Sequence, residues 1–302
     1  MEILNTIAEM RARVRAQMLA QTRAAIRATP TRAPAGLGLV PTMGALHAGH
    51  LSLVSAARND CDLVAVSIFV NPTQFAPNED FARYPRTFDA DCALLEDAGV
   101  DLIFAPSVEE MYPRTTPDGP TGAGTSVLVE GVSDRLDGAS RPGHFRGVTT
   151  VVSKLFNIVA PDRAYFGQKD AAQVAVLRQM VRDLNFDLEL VVCPIVRDSD
   201  GLALSSRNQY LSAEQRSQAL ILRRALLRVE SLVAAGESAT ATLLAEARAV
   251  LNQEPAIRLD YLAAVDPDTL LDVSTIHKTT LVAIAAYAGP TRLIDNILLG
   301  PR

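Results

Sequence analysis

The stretch Leu37–His50, LGLVPTMGALHAGH, joins a short apolar run, a turn containing Pro and Gly, and the beginning of a helical pattern. The run Leu37–Val40 predicts a strand, and the apolar residues after His50 recur at mixed helical spacing. A strand that passes through a tight loop into a helix is the first half of a βαβ unit, from which parallel sheets are built. The stretch therefore indicates an α/β fold.

The same alternation of strands and helices continues up to Val196. The continuous apolar run Leu63–Val70 suits a parallel strand that is buried on both faces. Further predicted helices cover residues 3–28 (ended by Pro30 and Pro34), 88–98, 148–158 and 170–184, and further strands cover 102–105, 164–166 and 188–193. We therefore predict a Rossmann-like, doubly wound parallel sheet over residues 1–195.

The pattern changes after Val196. Two long helices rich in Ala, Leu and Arg are predicted over residues 213–235 and 239–251, followed by strands over 259–265 and 281–286. These elements predict a second, smaller α+β domain over residues 196–302. The stretch 113–125 is rich in Thr, Pro and Gly, which predicts a loop, and the sequence leaves open whether that loop acts as a lid.

Composition excludes several classes of function. The formal net charge of −5 and the lack of a basic stripe argue against a nucleic-acid partner. No apolar run is long enough to span a bilayer, and no secretory signal is recognisable, so we expect no membrane association. Three scattered cysteines favour a reducing, cytoplasmic location over a disulfide framework or a zinc site. The Arg-rich, acid-free stretch 11–33 also resembles a transit peptide, as an alternative to a surface helix.

The motif Met43–His50, MGALHAGH, lies at the carboxyl end of the first predicted strand, where parallel sheets bind ligands. The helix N-terminus that follows favours phosphate groups, and Gly44 and Gly49 permit close approach of the backbone. His47 and His50 can donate hydrogen bonds to phosphate oxygens as charge develops. Two histidines at this spacing also suit a metal site or two locally bonded loop residues. The HxGH pattern resembles the HIGH motif of the nucleotidyltransferase superfamily, which includes class I aminoacyl-tRNA synthetases.

A second motif, Leu204–Asn208 (LSSRN), follows a loop at the start of the predicted second domain. Two hydroxyls and a guanidinium on one loop can clamp a phosphate, although Ser at this place also suits a helix cap. In combination with HxGH, the motif resembles the KMSKS loop of the same superfamily, which closes on the triphosphate.

Two further motifs follow predicted strands. In Phe166–Asp170 (FGQKD), Lys169 can neutralise phosphate charge, and Asp170 can accept from ribose hydroxyls or cap the next helix. Gln74, in the motif VNPTQF, and Gln173 each carry a donor and an acceptor, which suits a substrate with hydroxyl and carboxylate groups. Either glutamine alone also suits an exposed side chain.

Taken together, six phrases within residues 39–211 resemble the pantothenate synthetase family: VPTMGALHAGH, SIFVNPTQF, YPRT, GHFRGV, FGQKD and LALSSRNQYL. Their order and spacing are specific to that family within the superfamily. The resemblance implies an ATP-dependent ligase that joins pantoate to beta-alanine through pantoyl adenylate, releasing AMP and pyrophosphate. It also implies Mg²⁺ bound with the ATP, and a homodimer.

The resemblance assigns roles to particular residues. It implies ATP-binding residues in four segments: Met43, Gly44, Ala45, Leu46, His47, Ala48, Gly49 and His50; Gly167, Gln168, Lys169 and Asp170; Val196; and Leu204, Ser205, Ser206 and Arg207. Catalytic roles fall on His50, His47, Lys169, Ser205, Ser206 and Arg207. Gln74 and Gln173 match pantoate contacts, with Gln74 also matching a beta-alanine contact, and Asn71 and Tyr84 match the wall of the site.

The chain departs from the family pattern at three positions. Gln168 stands where Glu is expected, and Ala171 stands where Tyr is common. In the acidic stretch Asp89, Ala90 and Asp91, Ala90 stands where a third acid is often seen. The magnesium ligands therefore stay unassigned, and we expect Mg²⁺ to be held mainly by phosphate oxygens and water.

Three other functions share some of these features. A nucleotidylyltransferase that makes a dinucleotide or a CDP-alcohol shares the HxGH chemistry, but the glutamine pair favours a neutral hydroxy acid over a phosphorylated substrate. A tRNA-charging enzyme would need an RNA-binding domain, and the short chain and its acidic balance leave no obvious one. The third alternative is a nucleotide-binding or structural protein without catalysis, which would not need the intact set His47, His50, Lys169, Ser205, Ser206 and Arg207.

Overall fold

A computed structural model of the chain describes residues 1–27, 36–77, 79–113 and 124–300. Pro30 and Pro34, which were predicted to end the first helix, and most of the predicted loop 113–125 lie outside these residues. The chain forms two compact units. Unit 1 comprises Met1–Val129, Pro142–Phe166 and Met180–Cys193, and unit 2 comprises Glu130–Arg141, Gly167–Gln179 and Pro194–Arg302. The domain boundary at residues 195/196 stays a prediction, and two segments that precede it in the chain are grouped with unit 2.

The described elements alternate in the first two thirds of the chain. The strands are β1 Glu2–Leu4, β2 Leu37–Thr42, β3 Leu63–Ile68, β4 Leu102–Phe104, β5 Arg163–Gly167, β6 Glu189–Cys193, β7 Ile257–Val265, β8 Thr280–Ala288 and β9 Thr291–Leu299. The helices are α1 Ile7–Arg27, α2 Ala48–Asp60, α3 Phe88–Asp97, α4 Val108–Met111, α5 Asp137–Ser140, α6 His144–Val159, α7 Ala171–Asp183, α8 Ala213–Ala234 and α9 Thr240–Leu251.

The first six strands form one sheet in the order β1-β4-β3-β2-β5-β6. Neighbouring strands run parallel, as in the pairing of β2 with β3 on one side and with β5 on the other. The chain builds outward from β2 through β3 to β4, and then returns to place β5 on the opposite side of β2. The direction of winding therefore reverses between β2 and β5, and open α/β sheets bind ligands beyond the carboxyl ends of the strands at such a switch point. The predicted doubly wound parallel sheet is confirmed.

Continuous apolar strands put the core of unit 1 on the sheet. Val64 and Val66 of β3 are fully buried, and they belong to one cluster with Leu53 and Val54 of α2 and Leu95 of α3. Since alternate strand residues face the same side, this cluster covers one face of the sheet. It fixes the orientation of α2, whose N-terminus follows the carboxyl end of β2.

The predicted helix over residues 3–28 begins later than expected. Glu2–Leu4 instead forms the edge strand β1, with Glu2 opposite Leu102 of β4. A capping box sets the helix start, because the Glu9 carboxylate accepts from the N–H of Thr6 (3.0 Å) and the Thr6 hydroxyl accepts from the N–H of Glu9 (3.2 Å). The Thr-x-x-Glu signal thus marks the boundary that helix propensity alone did not reveal.

Unit 2 contains an antiparallel sheet in the order β7-β8-β9, with α8 and α9 packed on it around one apolar cluster. The predicted smaller α+β domain is confirmed in class, although only two of its three strands were predicted. β9 was missed because two polar residues, Asp295 and Asn296, interrupt its apolar pattern. None of the helices in the described part of the chain combines the length and the apolar composition that a bilayer crossing requires.

Candidate active site

The loop after β2 turns sharply at Gly44 and Ala45, whose φ angles are 79° and 51°. Both lie in the left-handed region, which costs a residue with a side chain about 1–2 kcal/mol. The Thr42 hydroxyl begins the turn, since it donates to the carbonyl of Ser67 (2.7 Å) and accepts from the N–H of Gly44 (3.2 Å). A strained turn of this kind persists only where its surroundings hold it.

Asp91 of α3 holds the turn. Its Oδ2 accepts from the N–H of Ala45 (2.9 Å), and its Oδ1 accepts from the N–H of Leu46 (2.8 Å) and from the Thr87 hydroxyl (3.1 Å). The side chain is nearly inaccessible, at 2% exposure. Successive N–H groups in left-handed turns form a concave anion-binding nest, and here the anion is the protein's own carboxylate. The N–H groups of Ala45 and Leu46 are thus engaged inside the protein, and ligand contacts of this loop must use its other groups.

His47 and His50 cap the N-terminus of α2. The Nδ1 atom of His47 accepts from the N–H of Gly49 (3.1 Å), and that of His50 accepts from the N–H of His47 (3.3 Å). The pair forms a reciprocal capping box made of imidazoles. The two ring centroids lie 4.1 Å apart.

These bonds decide which nitrogen of each ring carries the proton. A nitrogen that accepts a hydrogen bond has no hydrogen of its own, so each neutral ring is protonated at Nε2 and acts as a donor there. A metal ligated through Nε2 would need the proton on Nδ1, which would break the cap. The geometry therefore favours donation from Nε2 to an anion over a metal site. Local hydrogen bonding, which was the second alternative for these histidines, is observed at Nδ1 of both rings.

The Asn71–Gln74 turn lies beside the histidine loop. Asn71, 1% exposed, donates to the Gly147 carbonyl (3.1 Å) and to Oε1 of Gln74 (3.1 Å), and it accepts from the Tyr112 hydroxyl (2.8 Å). Gln74 in turn donates from Nε2 to Sδ of Met43 (2.9 Å). The structure therefore brings Gln74 against the HxGH loop, and the buried Asn71 side chain holds the turn in place through its hydrogen bonds.

The phrase GHFRGV contains two residues for which sequence reasoning proposed no role. Nδ1 of His144 lies 2.8 Å from the carbonyl oxygen of Gln74. A Cβ atom at Gly147 would lie 2.3 Å from the carbonyl oxygen of Thr73, so only glycine lets α6 approach the turn this closely. Tyr84, predicted to line the site, is 5% exposed and meets Phe75 edge to face.

The predicted ATP-binding residues of unit 2 form two segments. The first begins at Gly167, the last residue of β5, and continues as the single 3₁₀ turn Gln168–Asp170 into α7, which carries the partly buried Gln173 in its first turn. Nζ of Lys169 lies 3.2 Å from Oδ1 of Asp170. Ala171, where the family pattern has Tyr, is buried at the start of α7.

The second segment is a small hairpin and the turn after it. The N–H of Leu204 donates to the carbonyl of Val196 (3.0 Å), which closes the hairpin. Ser205 caps the 3₁₀ turn Ser206–Tyr210 by accepting from the N–H of Arg207 (3.3 Å). Because Ser205 uses its oxygen as acceptor, its hydroxyl hydrogen can still donate to an anion.

A parallel sheet whose HxGH turn lies beyond the carboxyl end of β2, where the direction of winding reverses, is typical of α/β enzymes that bind a ligand at that point. The family profile described as Pantoate-beta-alanine ligase matches residues 2–298. The pantothenate synthetase of Acidobacterium capsulatum is 62% identical over 296 residues, covering 95% of this chain and 97% of that relative.

Solved structures agree with the family profile. The crystal structure of pantothenate synthetase from Thermus thermophilus is 48% identical with a TM-score of 0.86, covering 98% of this chain and 99% of that one. The Francisella tularensis pantoate-beta-alanine ligase is 32% identical with a TM-score of 0.73, covering 100% of both chains. The chain belongs to the pantoate-beta-alanine ligase family, the enzymes known as pantothenate synthetases.

Proposed function

We propose that the chain condenses pantoate with beta-alanine at the expense of ATP, through a pantoyl-adenylate intermediate, with release of AMP and pyrophosphate. Family membership supports the overall ligation, and the Francisella relative was crystallised as a complex with beta-gamma ATP and beta-alanine. The observation that carries the adenylate step is the His47–His50 capping box, which fixes two Nε2–H donors at the carboxyl end of β2.

In the first half-reaction, a pantoate carboxylate oxygen attacks the α-phosphate and the bond to pyrophosphate breaks. Negative charge develops on the α-phosphate and on the departing pyrophosphate, and no proton needs to be transferred. Donors that are already fixed stabilise this charge without reorganisation. We assign that role to Nε2 of His47 and His50, with Lys169, Ser205, Ser206 and Arg207 contacting the triphosphate.

The other proposed ATP contacts come from the four segments that the family resemblance assigns to the nucleotide. Met43–His50 and Gly167–Asp170 bind the nucleotide, with Asp170 accepting from ribose hydroxyls. The backbone of Val196 contacts the adenine, and Leu204 leads into the phosphate-binding turn. Within the first segment, the contacts come from groups other than the N–H of Ala45 and Leu46, which already bind Asp91.

Gln74 and Gln173 are proposed to bind pantoate, and Gln74 also beta-alanine. The bond from Gln74 to Sδ of Met43 supports this assignment, because it holds the amide against the loop that carries the two histidines. A thioether is a weak acceptor, so a substrate oxygen can replace it at small cost. Asn71 and Tyr84 then act mainly by supporting the wall, since both are almost fully buried.

Mg²⁺ is proposed to accompany ATP, and when bound it would neutralise phosphate charge. Among the described residues there is no group of three or more His, Cys, Asp or Glu side chains that could hold a metal. Asp91 already uses both carboxylate oxygens within the protein. This donor set fits an ion that takes most of its ligands from phosphates and water, as Mg²⁺ does. Asp170 is the single carboxylate within the proposed ATP-binding segments and is the residue that would contribute a ligand.

Pyrophosphate release tests the adenylate step. The purified protein is mixed with ATP and Mg²⁺, with and without pantoate, and beta-alanine is added later. We expect about one pyrophosphate per active site with pantoate alone, and pantothenate and AMP only after beta-alanine is added. Pyrophosphate release that requires beta-alanine from the outset would contradict a separate adenylate intermediate.

We also propose a cytoplasmic homodimer. Family resemblance supports the dimer, and the three free cysteines, all among the described residues, support a reducing compartment. Light scattering should give twice the chain mass of 32.4 kDa. A concentration-independent mass of one chain would contradict the dimer.

A further inference from the structure

β9 carries two adjacent buried polar residues that the proposed reaction does not use. Asp295 is 4% exposed and Asn296 is 2% exposed. Buried polar side chains are costly unless their hydrogen-bonding groups are satisfied, so their partners indicate what they are for. Each has its partners in a different segment of unit 2.

Asn296 is bonded to the turn that carries Lys169. Its Nδ2 donates to the carbonyl oxygens of Gln168 (3.0 Å) and Lys169 (2.9 Å), and its Oδ1 accepts from Nε2 of Gln168 (3.0 Å). One side chain thus makes three bonds to two consecutive residues. Gln168 stands where the family pattern has Glu, and its amide nitrogen supplies the donor that Oδ1 of Asn296 needs. A Glu side chain there would place an oxygen against that Oδ1.

Asp295 is bonded to the hairpin that precedes Ser205. Its two carboxylate oxygens accept from the two terminal nitrogens of Arg197 at 2.6 and 2.8 Å, a bidentate ion pair. Arg197 also donates to the carbonyl of Gly201 (3.1 Å), so the guanidinium spans the hairpin from base to tip. A planar guanidinium held by both ends of a carboxylate has one orientation, which fixes the base of the hairpin.

Adjacent residues of a strand point to opposite faces of the sheet. Asp295 is in phase with Leu293 and Ile297, which belong to the apolar cluster, and Asn296 is on the other face. β9 is also an edge strand of its sheet. We propose that Asp295 and Asn296 are positioning residues, which use the two faces of β9 to hold the Lys169 turn and the Arg197 hairpin in fixed relation to each other. The inference rests on the proposed function, in which Lys169 and Ser205–Arg207 contact one triphosphate.

The separation matters because both segments are proposed to contact the same triphosphate, whose oxygens all lie within a few bonds of one another. A displacement of about 1 Å in one contact can cost on the order of 100-fold in rate when the geometry is set elsewhere. Neither residue touches the ligand in this proposal, so each acts only through the segment that it holds.

Two isosteric variants separate the two contacts. Asn296→Asp replaces the donor that faces Gln168 and Lys169 with an oxygen, and Asp295→Asn replaces one acceptor that faces Arg197 with a donor. Ile297→Val, on the same strand and in the apolar cluster, controls for general loosening of β9. Should an isosteric variant fail to fold, Gln168→Glu tests the Asn296 contact and Arg197→Lys tests the Asp295 contact from the other side.

Amide hydrogen exchange and ATP kinetics are measured on each variant. We expect Asn296→Asp to speed exchange in residues 168–171 and Asp295→Asn to speed it in residues 196–204, with each variant lowering kcat/KM for ATP by about 10- to 100-fold. For Asp295→Asn the KM for pantoate should stay near wild type. Ile297→Val should leave both readouts close to wild type.

Three results would overturn the inference. Exchange that rises equally in both segments, or in neither, would mean that β9 does not hold them separately. Selective exchange with an unchanged kcat/KM for ATP would remove the functional role of the positioning. If Lys169→Ala and Arg207→Ala leave ATP kinetics unchanged, the assignment of these segments to the triphosphate fails, while hydrogen exchange still shows whether β9 holds them.

Discussion

The geometry of the imidazole pair implies that helix capping and phosphate stabilisation can be separated by substitutions of His47. Nδ1 of His47 accepts from the N–H of Gly49, and the proposed work on phosphate is done by Nε2 on the other side of the ring. Asn is among the strongest helix N-caps, and its short side chain ends at the position of Nδ1. His47→Asn should therefore keep the cap and lose the donor, whereas His47→Ala should lose both.

The magnitudes follow from these contacts. Loss of an N-cap costs about 1 kcal/mol of stability, so His47→Ala should unfold more easily than His47→Asn by about that amount. Loss of one preorganised donor costs about 2.7–4 kcal/mol of barrier, which is about a 10²- to 10³-fold loss in rate. Both variants should show this loss of rate, although only one shows the loss of stability. His50→Ala should slow adenylate formation by a similar factor.

Two assays complete the test. Denaturant unfolding measures the cap, and single-turnover pyrophosphate release from ATP and pantoate measures adenylate formation. The acyl-transfer step is measured separately by supplying ready-made pantoyl adenylate with beta-alanine. Because pyrophosphate has already left, the variants should retain more of their rate in this second assay. Near wild-type pyrophosphate release by His47→Asn, or equal losses in both half-reactions for His50→Ala, would refute the reasoning.

Three further changes have defined outcomes. Asp91→Asn keeps the shape of the side chain but places an NH₂ group against at least one N–H of the strained turn. The free energy of unfolding should therefore fall by about 1.5–3 kcal/mol for each lost bond. Equal stability of Asp91→Asn and wild type in urea would contradict this. Gln74→Ala should reduce the pantoate-dependent rate by about 1–3 kcal/mol of barrier, and a collapse of ATP affinity with normal pantoate affinity would contradict the assignment. The Lys278 ammonium and the N–H groups of Asp268 and Thr269 lower the pKa of Asp266 below its usual value. Its stabilising effect is therefore present above about pH 4 and is lost as the pH falls further, so the difference in unfolding free energy between wild type and Asp266→Asn should narrow on acidification. A pH-independent difference would contradict the last prediction.

Much of the fold could be predicted because its signals are local. The apolar runs Leu37–Val40 and Leu63–Val70 both became buried neighbouring strands, since a parallel strand covered on both faces tolerates few polar residues. The HxGH motif was placed correctly at the end of β2 because a strand, a turn and a helix follow one another within 14 residues. The tautomers of its histidines were not predictable, since they depend on which backbone N–H groups the fold turns towards Nδ1.

The residues that sequence reasoning missed hold other residues in place across long distances in the chain. Asp91 binds a turn 46 residues earlier, and Asn296 binds Gln168 across 128 residues. Such a residue needs no motif of its own, because its role is defined by a partner that only the fold brings close. The signal in the sequence was an interruption: Asp295 and Asn296 break the apolar pattern of β9, and for this reason β9 was not predicted as a strand. Polar side chains destabilise a buried strand unless they are bonded, so such an interruption beside apolar runs is itself a reason to look for the segment that it binds.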